Sequence, residues 1–307
     1  MNKLNIINYI KFNSYLSPAH AIPNEIKKLK IGKKYTILYD LMPVLYSEYY
    51  PDSNNEMFWH NVLINSLNSK DYYFAISEYT RRDFLKHYTK LDANKVFTTL
   101  LASNESFKKV DKNLSSIKQK YNIPQDKKYI FSLCTLEPRK NLIRAVKTFI
   151  DFIKKNDIDD MVFVLGGGQW DFFIEKLDKE IEDLGMYKDK VIKAGYIDDK
   201  DLPALYTSAE WFVYTSQYEG FGLPPLEAMS CGCPVITSNN SSLPEVVGDA
   251  GIMIDWDSDE QHIKAYEKYY FEEAYRNEMA HKGLERSTHF SWEKCVTEMV
   301  NSMKGNK

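Results

Sequence analysis

The sequence predicts an α/β protein of two domains, with a complete doubly wound unit in the C-terminal part and a reduced α/β unit ahead of it. Three observations predict this. From about residue 129 short apolar runs alternate with amphipathic stretches, the pattern of a parallel sheet with helices on both faces. A chain of 307 residues, 44% hydrophobic, can bury more than one core of ordinary domain size. Before residue 120 the same alternation is present but interrupted.

The elements follow in order. "YTILYDLMPVLY" (35–46), "YYFAIS" (72–77) and "NKVFTTLL" (94–101) read as strands, and "EYTRRDFLKHY" (78–88) as a helix. "YIFSLCT" (129–135) reads as the first strand of the regular part. "NLIRAVKTFIDFIKKN" (141–156) follows, with apolar residues at 142, 143, 146, 149, 150 and 153, the spacing of a helix with one buried face. Then come the strand "MVFVLGGG" (161–168), a helix near 171–184, "VIKAGY" (191–196), a short helix around 200–208 and "WFVYTS" (211–216). A helix after Gly222, "PVITS" (234–238) and "GIMID" (251–255) complete the series. Residues 258–283 read as one charged helix, and about 291–303 as a last one with Ser291 as its N-cap. The expected domains are 1–115 and 116–287, with the terminal helix of 288–307 packing back toward the first.

Composition excludes some function classes. No apolar run approaches the ~18 residues of a membrane span. The opening "MNKLNIINYIKFNSYLSP" is broken by Asn and Lys and makes a poor signal peptide. Four cysteines without a pairing pattern suggest reduced thiols in a cytoplasmic protein. Six histidines show no ligand spacing, so no metal is expected. Residues 1–140 hold 22 Lys and Arg against 13 Asp and Glu, net +9, and the remainder 18 against 30, net −12. Two solvated surfaces account for this, as does a basic N-terminal part, including "EIKKLKIGKK" (25–34), facing an anionic acceptor or the inner face of a membrane. Nothing indicates nucleic acid.

The stretch that carries chemistry is "TSQYEGFGLPPLEAMSCGCPVITS" (215–238). Ligands of an open parallel sheet bind beyond the carboxyl ends of its strands, and this turn follows one. Gly220 and Gly222 permit positive φ or close approach of a ligand. Pro224 suits the first helical turn, whose free N–H groups attract anions. Glu219 and Glu227 flank this anion site. Carboxylates accept hydrogen bonds from hydroxyls, so the pair suits a long ligand with hydroxyls at both ends and anionic charge between. A nucleoside diphosphate sugar has that shape, and "LEPRKN" (136–141) supplies Arg139 and Lys140 from another strand end. Without that conjunction Glu219 is an ordinary loop carboxylate, Glu227 a first-turn residue and 166–168 a tight glycine turn.

"YEGFGLPPLEAMSCGCPVITS" with "LPEVVGDAG" (243–251) resembles the donor-binding domain of retaining glycosyltransferases of the GT-B fold, glycosyltransferase family 4, also called glycosyl transferases group 1. That family's mark is two glutamates with seven residues between, as in Glu219 and Glu227. "TLEPRKN" (135–141) is similar to its diphosphate loop and "FSWEKCVTEMV" (290–300) to its closing helix. "LYDLMPVLYSEYY" (38–50) and "FAISEYTRRDF" (74–84) resemble its acceptor-side domain. The resemblance implies that Glu219 holds donor-hexose hydroxyls, Glu227 the ribose hydroxyls, and Arg139 with Lys140 the departing diphosphate. The amides of Phe221, Gly222 and Leu223 would meet sugar and phosphate, with Gly220, Thr135 and Gly167 alongside. Tyr39, Asp40 and Ser77 would face the acceptor. It also implies front-face attack without a protein base, and no cofactor or metal; Asp255, Asp257 and Asp259 read as a turn and helix start. GDP-mannose is favoured as donor, then a UDP-sugar, with a glycan or lipid-linked acceptor in bacterial surface polysaccharide or glycoprotein assembly.

The departures lie in the first half. "FNSYLSPAHAIP" (12–23) resembles material well inside the family's N-terminal domain, and Tyr39 stands where many members have His. A partner subunit completing that domain is one expectation. A catalytically silent glycan- or partner-binding subunit is the alternative function, and a sugar-nucleotide epimerase a third.

Overall fold

The computed structural model describes residues 13–18, 21–29, 31–49, 55–110, 114–168 and 171–305. Residues 1–12, on which the signal-peptide reading rests, lie outside the described residues, as do Ala19 and His20 of the 12–23 stretch, Lys30 of the basic run and Tyr50. The chain divides into two compact units: 1–101 with 292–307, and 102–291.

The first unit holds a four-stranded parallel sheet in chain order: β1 (Ser14–Ser17), β2 (Lys33–Leu38), β3 (Tyr72–Ala75) and β4 (Val96–Thr98). The expected strand 35–46 stops at Leu38. Asp40 Oδ1 accepts from Met42 N at 2.9 Å, and Pro43 enters the first turn of a short helix, Met42–Leu45. Local turn chemistry here outweighs the apolar run. β1 and helix Asn55–Ser66 were not legible in the sequence. The last helix, Trp292–Lys304, packs Cys295 and Met299 against Tyr35 and Phe74 of the sheet.

The second unit is built on six parallel strands: β5 (Lys128–Leu133), β6 (Met161–Gly166), β7 (Val191–Gly195), β8 (Phe212–Tyr214), β9 (Val235–Ser238) and β10 (Ile252–Ile254). Their spatial order is β10-β9-β8-β5-β6-β7. Chain order therefore reverses between β5 and β8, the switch point at which doubly wound sheets open a crevice for ligands. Helix Leu142–Lys155 buries Val146, Phe149 and Ile153 at the predicted spacing.

Two boundaries differ from expectation. The first unit ends at 101 rather than 115, because the connecting segment engages the second unit. Ser103 Oγ lies 3.1 Å from Ser230 Oγ, Val110 N donates to Thr207 Oγ1 at 3.3 Å, and the Phe107 ring meets Tyr206 edge-on at 6.1 Å. The charged helix of 258–283 is two helices, Asp259–Phe271 and Glu273–Ser287, broken at Glu272. The break lets Tyr266 and Tyr269 bury fully while Gly283 lies against Met229. Among the described residues no helix is long and apolar enough to cross a membrane.

Candidate active site

The residues on either side of the switch point come from the loops after β5 and β8. After β5 the chain runs extended through Glu137, makes a 3-10 turn at Pro138–Lys140, and turns back at Asn141, whose φ of 59° is left-handed. Asparagine tolerates that conformation better than most residues. The tight turn aims Arg139 inward, 3% exposed. Gly167 after β6 supports the same loop. Its φ is +129°, and an added Cβ would stand 1.8 Å from the carbonyl oxygen of Cys134, so only glycine fits. Thr135 is exposed on this loop.

The loop after β8 is clamped to it. Gln217 N donates to Arg139 O at 2.9 Å. A polar run after β9 holds the turn from the other side: Ser238 Oγ donates to Ser216 O at 2.6 Å, Asn240 Nδ2 to Gln217 O at 2.9 Å, and Ser242 Oγ to Phe221 O at 2.6 Å. Glu219 N donates to Ser241 Oγ at 3.0 Å. Gly222, with φ +119°, begins helix Leu223–Ser230, and Pro224 sits in its first turn. Gly220 and Phe221 are buried beside it, Phe221 edge-on to Phe290 at 6.0 Å.

These clamps bring three of the expected residues into one cluster. Lys140 Nζ lies 2.6 Å and Arg139 Nη1 3.1 Å from Glu219 Oε1. Arg139 also bonds the Glu137 carboxylate through Nη2 and the Tyr218 carbonyl through Nη1. Lys140 Nζ donates to Tyr214 Oη at 2.8 Å and stands 5.1 Å from that ring's centroid. Burial alone would raise the Glu219 pKa; the two cations reverse that and hold it at about 2. Glu219 is thus an anion at every physiological pH, and four side chains of opposite charge sum to zero.

Glu227 is different. It lies within helix Leu223–Ser230, and Tyr206 Oη donates to its Oε2 at 3.3 Å. Burial pushes its pKa up to about 7, with Asp199 adding to the rise and the Tyr206 hydrogen bond opposing it. The two groups are separated by a row of rings: Tyr206 to Phe212 at 5.2 Å, then Phe212 to Tyr214 at 5.9 Å. One glutamate is thus held as an anion and the other lies near its midpoint at neutral pH.

The acceptor-side candidates belong to the first unit and follow β2 and β3. Tyr39 is 43% exposed, its hydroxyl donating to Pro18 O at 3.0 Å. Asp40 caps the turn described above. Ser77 is fully buried as the N-cap of helix Glu78–His87, accepting from Thr80 N at 3.0 Å, a role that explains it without substrate. Asp255 accepts from Gln261 Nε2 at 2.8 Å, and Asp259 opens the helix capped by Ser258, so that trio forms a turn and helix start.

Sequence reasoning missed Glu137, Tyr206, Tyr214 and the serines 238–242. The run "SNNSS" after a strand end was a signal for the last; for the tyrosines no signal separated them from ordinary core aromatics.

Residues 115–286, more than half of the chain, match the family model described as "Glycosyl transferases group 1". The chain belongs to that family. This glycosyltransferase is 31% identical over 284 residues to O-antigen chain mannosyltransferase B of Escherichia coli, covering 92% of this chain and 73% of that one. It is 32% identical over 264 residues to a serotype-specific mannosyltransferase, WbdA, of the same species, covering 85% of this chain but 32% of that longer one. Among solved structures it superposes on sucrose-phosphate synthase of Thermosynechococcus elongatus with a TM-score of 0.72 at 22% identity, covering 92% and 69% of the two chains. The glycosyltransferase has the GT-B type of α/β fold.

Proposed function

We propose that this glycosyltransferase moves a hexose from a nucleoside diphosphate sugar to a glycan or lipid-linked acceptor in bacterial surface polysaccharide assembly, with retention at the anomeric carbon, as a member of glycosyltransferase family 4. The observation that carries the reading is the Arg139–Lys140–Glu219 cluster at the β5/β8 switch point. Two cations held in fixed positions by Glu137, Glu219 and Tyr214 suit a diphosphate leaving group, because donors already in place need no reorganisation as charge develops. Glu219, held as an anion, suits hexose hydroxyls, and Glu227 suits the ribose hydroxyls. The amides at Phe221, Gly222 and Leu223 add a helix N-terminus.

In this reading the departing phosphate takes the acceptor's proton on the face it leaves, so retention follows without a protein base. Charge neutralisation comes from Arg139 and Lys140, and no metal enters the proposal. GDP-mannose is the proposed donor, supported by the two mannosyltransferase relatives, with UDP-sugars next. Peripheral contact with the inner face of the membrane is proposed from the +9 charge of residues 1–140. The test is sugar transfer from a panel of GDP-, UDP-, ADP- and dTDP-sugars by wild type, Glu219→Ala and Arg139→Ala. Loss of at least a hundredfold in both variants is expected; near-wild-type turnover in both would overturn the proposal.

A further inference from the structure

The first unit holds a cavity that the reaction does not use. Its volume is about 630 Å³, and Tyr72, Phe97, Asn94, Asn301, Ser302 and Glu298 are among the residues lining it. Its lining takes Lys33 and Tyr72, which open β2 and β3, together with Phe97 and Thr98, which close β4. Tyr39, Asp40 and Ser77 follow the carboxyl ends of β2 and β3, where a parallel sheet places its reaction chemistry. None of those three residues is in the cavity's lining.

Its lining is specific in character. The stacked Tyr72 and Phe97 rings, 6.5 Å apart with planes 5° from parallel, form its aromatic shelf, and the Lys33 and Lys95 ammonium groups stand 5.5 and 5.4 Å from the Tyr72 centroid. Tyr35 backs it by stacking on Tyr72 at 5.0 Å. The last helix buries Cys295 and Met299 on the neighbouring part of the sheet and leaves this shelf to the cavity, with Glu298, Asn301 and Ser302 along its edge. Among the described residues the side-chain amides of Asn94 and Asn301 and the carboxylate of Glu298 make no hydrogen bond or ion pair. Two solvent-exposed amides and one acceptor-only carboxylate thus edge the aromatic rings.

The ligand class follows from that combination. Glu298 in the lining opposes a phosphate or nucleotide, beside Lys33 and the nearby Lys95. Planar amides and a carboxylate are matched by hydroxyl groups, and an aromatic shelf by a flat face of C–H bonds. A neutral saccharide presents both, and the volume falls within the ~300–1,000 Å³ of small-ligand sites. We propose that this cavity is a second glycan site, which holds a saccharide unit of the acceptor away from the reacting one. The proposal rests on the glycan acceptor put forward above.

The experiment uses the full chain with linear α-mannotetraose as probe, read by saturation-transfer difference NMR, with glycerol and inorganic phosphate as competitors. The Asn301→Ala/Glu298→Ala variant alters two residues on the outer side of a helix; it is expected to lose the saccharide signal at least fivefold and to raise the KM of a long acceptor without changing that of a monosaccharide acceptor. Phe97→Leu is expected to do the same. Glu219→Ala, disabled in the reaction site, is expected to keep the signal, so failure of the transfer reading and failure of this one are separable. A saccharide signal unchanged in both cavity variants, no signal in wild type, or displacement by phosphate would overturn the proposal.

Discussion

Glu227 carries the sharpest prediction, because its protonation and its proposed task conflict. A carboxyl with a pKa of about 7 is only about 3% ionised at pH 5.5 and about 97% at pH 8.5. If the ribose hydroxyls bind the carboxylate form, donor affinity falls about thirtyfold between those pH values. A nucleotide sugar's diphosphate is esterified at both ends and stays doubly ionised across this window, so the slope belongs to the protein. The groups facing Glu227 are Tyr206, Asp199 and Cys231, and burial holds the Cys231 thiol at about 12. Glu227 therefore supplies the titration. Isothermal calorimetry of GDP-mannose and UDP-glucose should show the slope in wild type and lose it in Glu227→Gln. The same shift sets a stability term. The folded pKa lies above the ordinary 4.5, so this contribution is fully present below pH 4.5 and is lost as pH rises through 7. Between pH 5.5 and 8.5 wild type should lose about 2 kcal/mol relative to Glu227→Gln in urea unfolding. Equal pH slopes for both proteins, in binding and in unfolding, would refute the reasoning.

Further outcomes follow from the same contacts. Tyr206→Phe removes the hydrogen bond that opposes burial, so the Glu227 midpoint should move up and the donor KM rise roughly three- to tenfold, with kcat at saturating donor kept; pH-dependent kinetics reads both. Glu219→Gln should leave nucleoside diphosphate affinity intact or tighter, since Arg139 and Lys140 lose a competing anion, while transfer falls at least about a hundredfold. Because Glu219 is held at about 2, its stabilisation is present above pH 4.5 and lost as pH falls toward 2; acid unfolding of Glu219→Gln should lack that limb. Gly167→Ala forces a Cβ to 1.8 Å from a backbone oxygen, whereas in Gly222→Ala the nearest atom is a mobile Leu243 methyl at 2.8 Å. The first should cost at least about 3 kcal/mol and the second less, by urea midpoint.

The amino-acid order alone marked most of the C-terminal strands and helices, the buried parallel strands as continuous apolar runs and the amphipathic helices by their 3.6-residue spacing, signals that a local segment carries by itself. It also marked Glu219, Glu227, Arg139 and Lys140 as candidates for a site, since turn glycines, prolines and strand ends announce such loops. Tertiary structure decided the rest. The sheet order that puts the β5 and β8 loops side by side is set by pairing between strands about 80 residues apart, which no local window contains. The split of the two glutamates into a permanent anion and a near-neutral titrating acid is also long-range. Lys140 and Arg139 reach Glu219 from the loop after β5, whereas Glu227 is faced by Tyr206, Asp199 and Cys231 with no cation among them, and charge in a low-dielectric interior answers to its neighbours in space rather than in sequence.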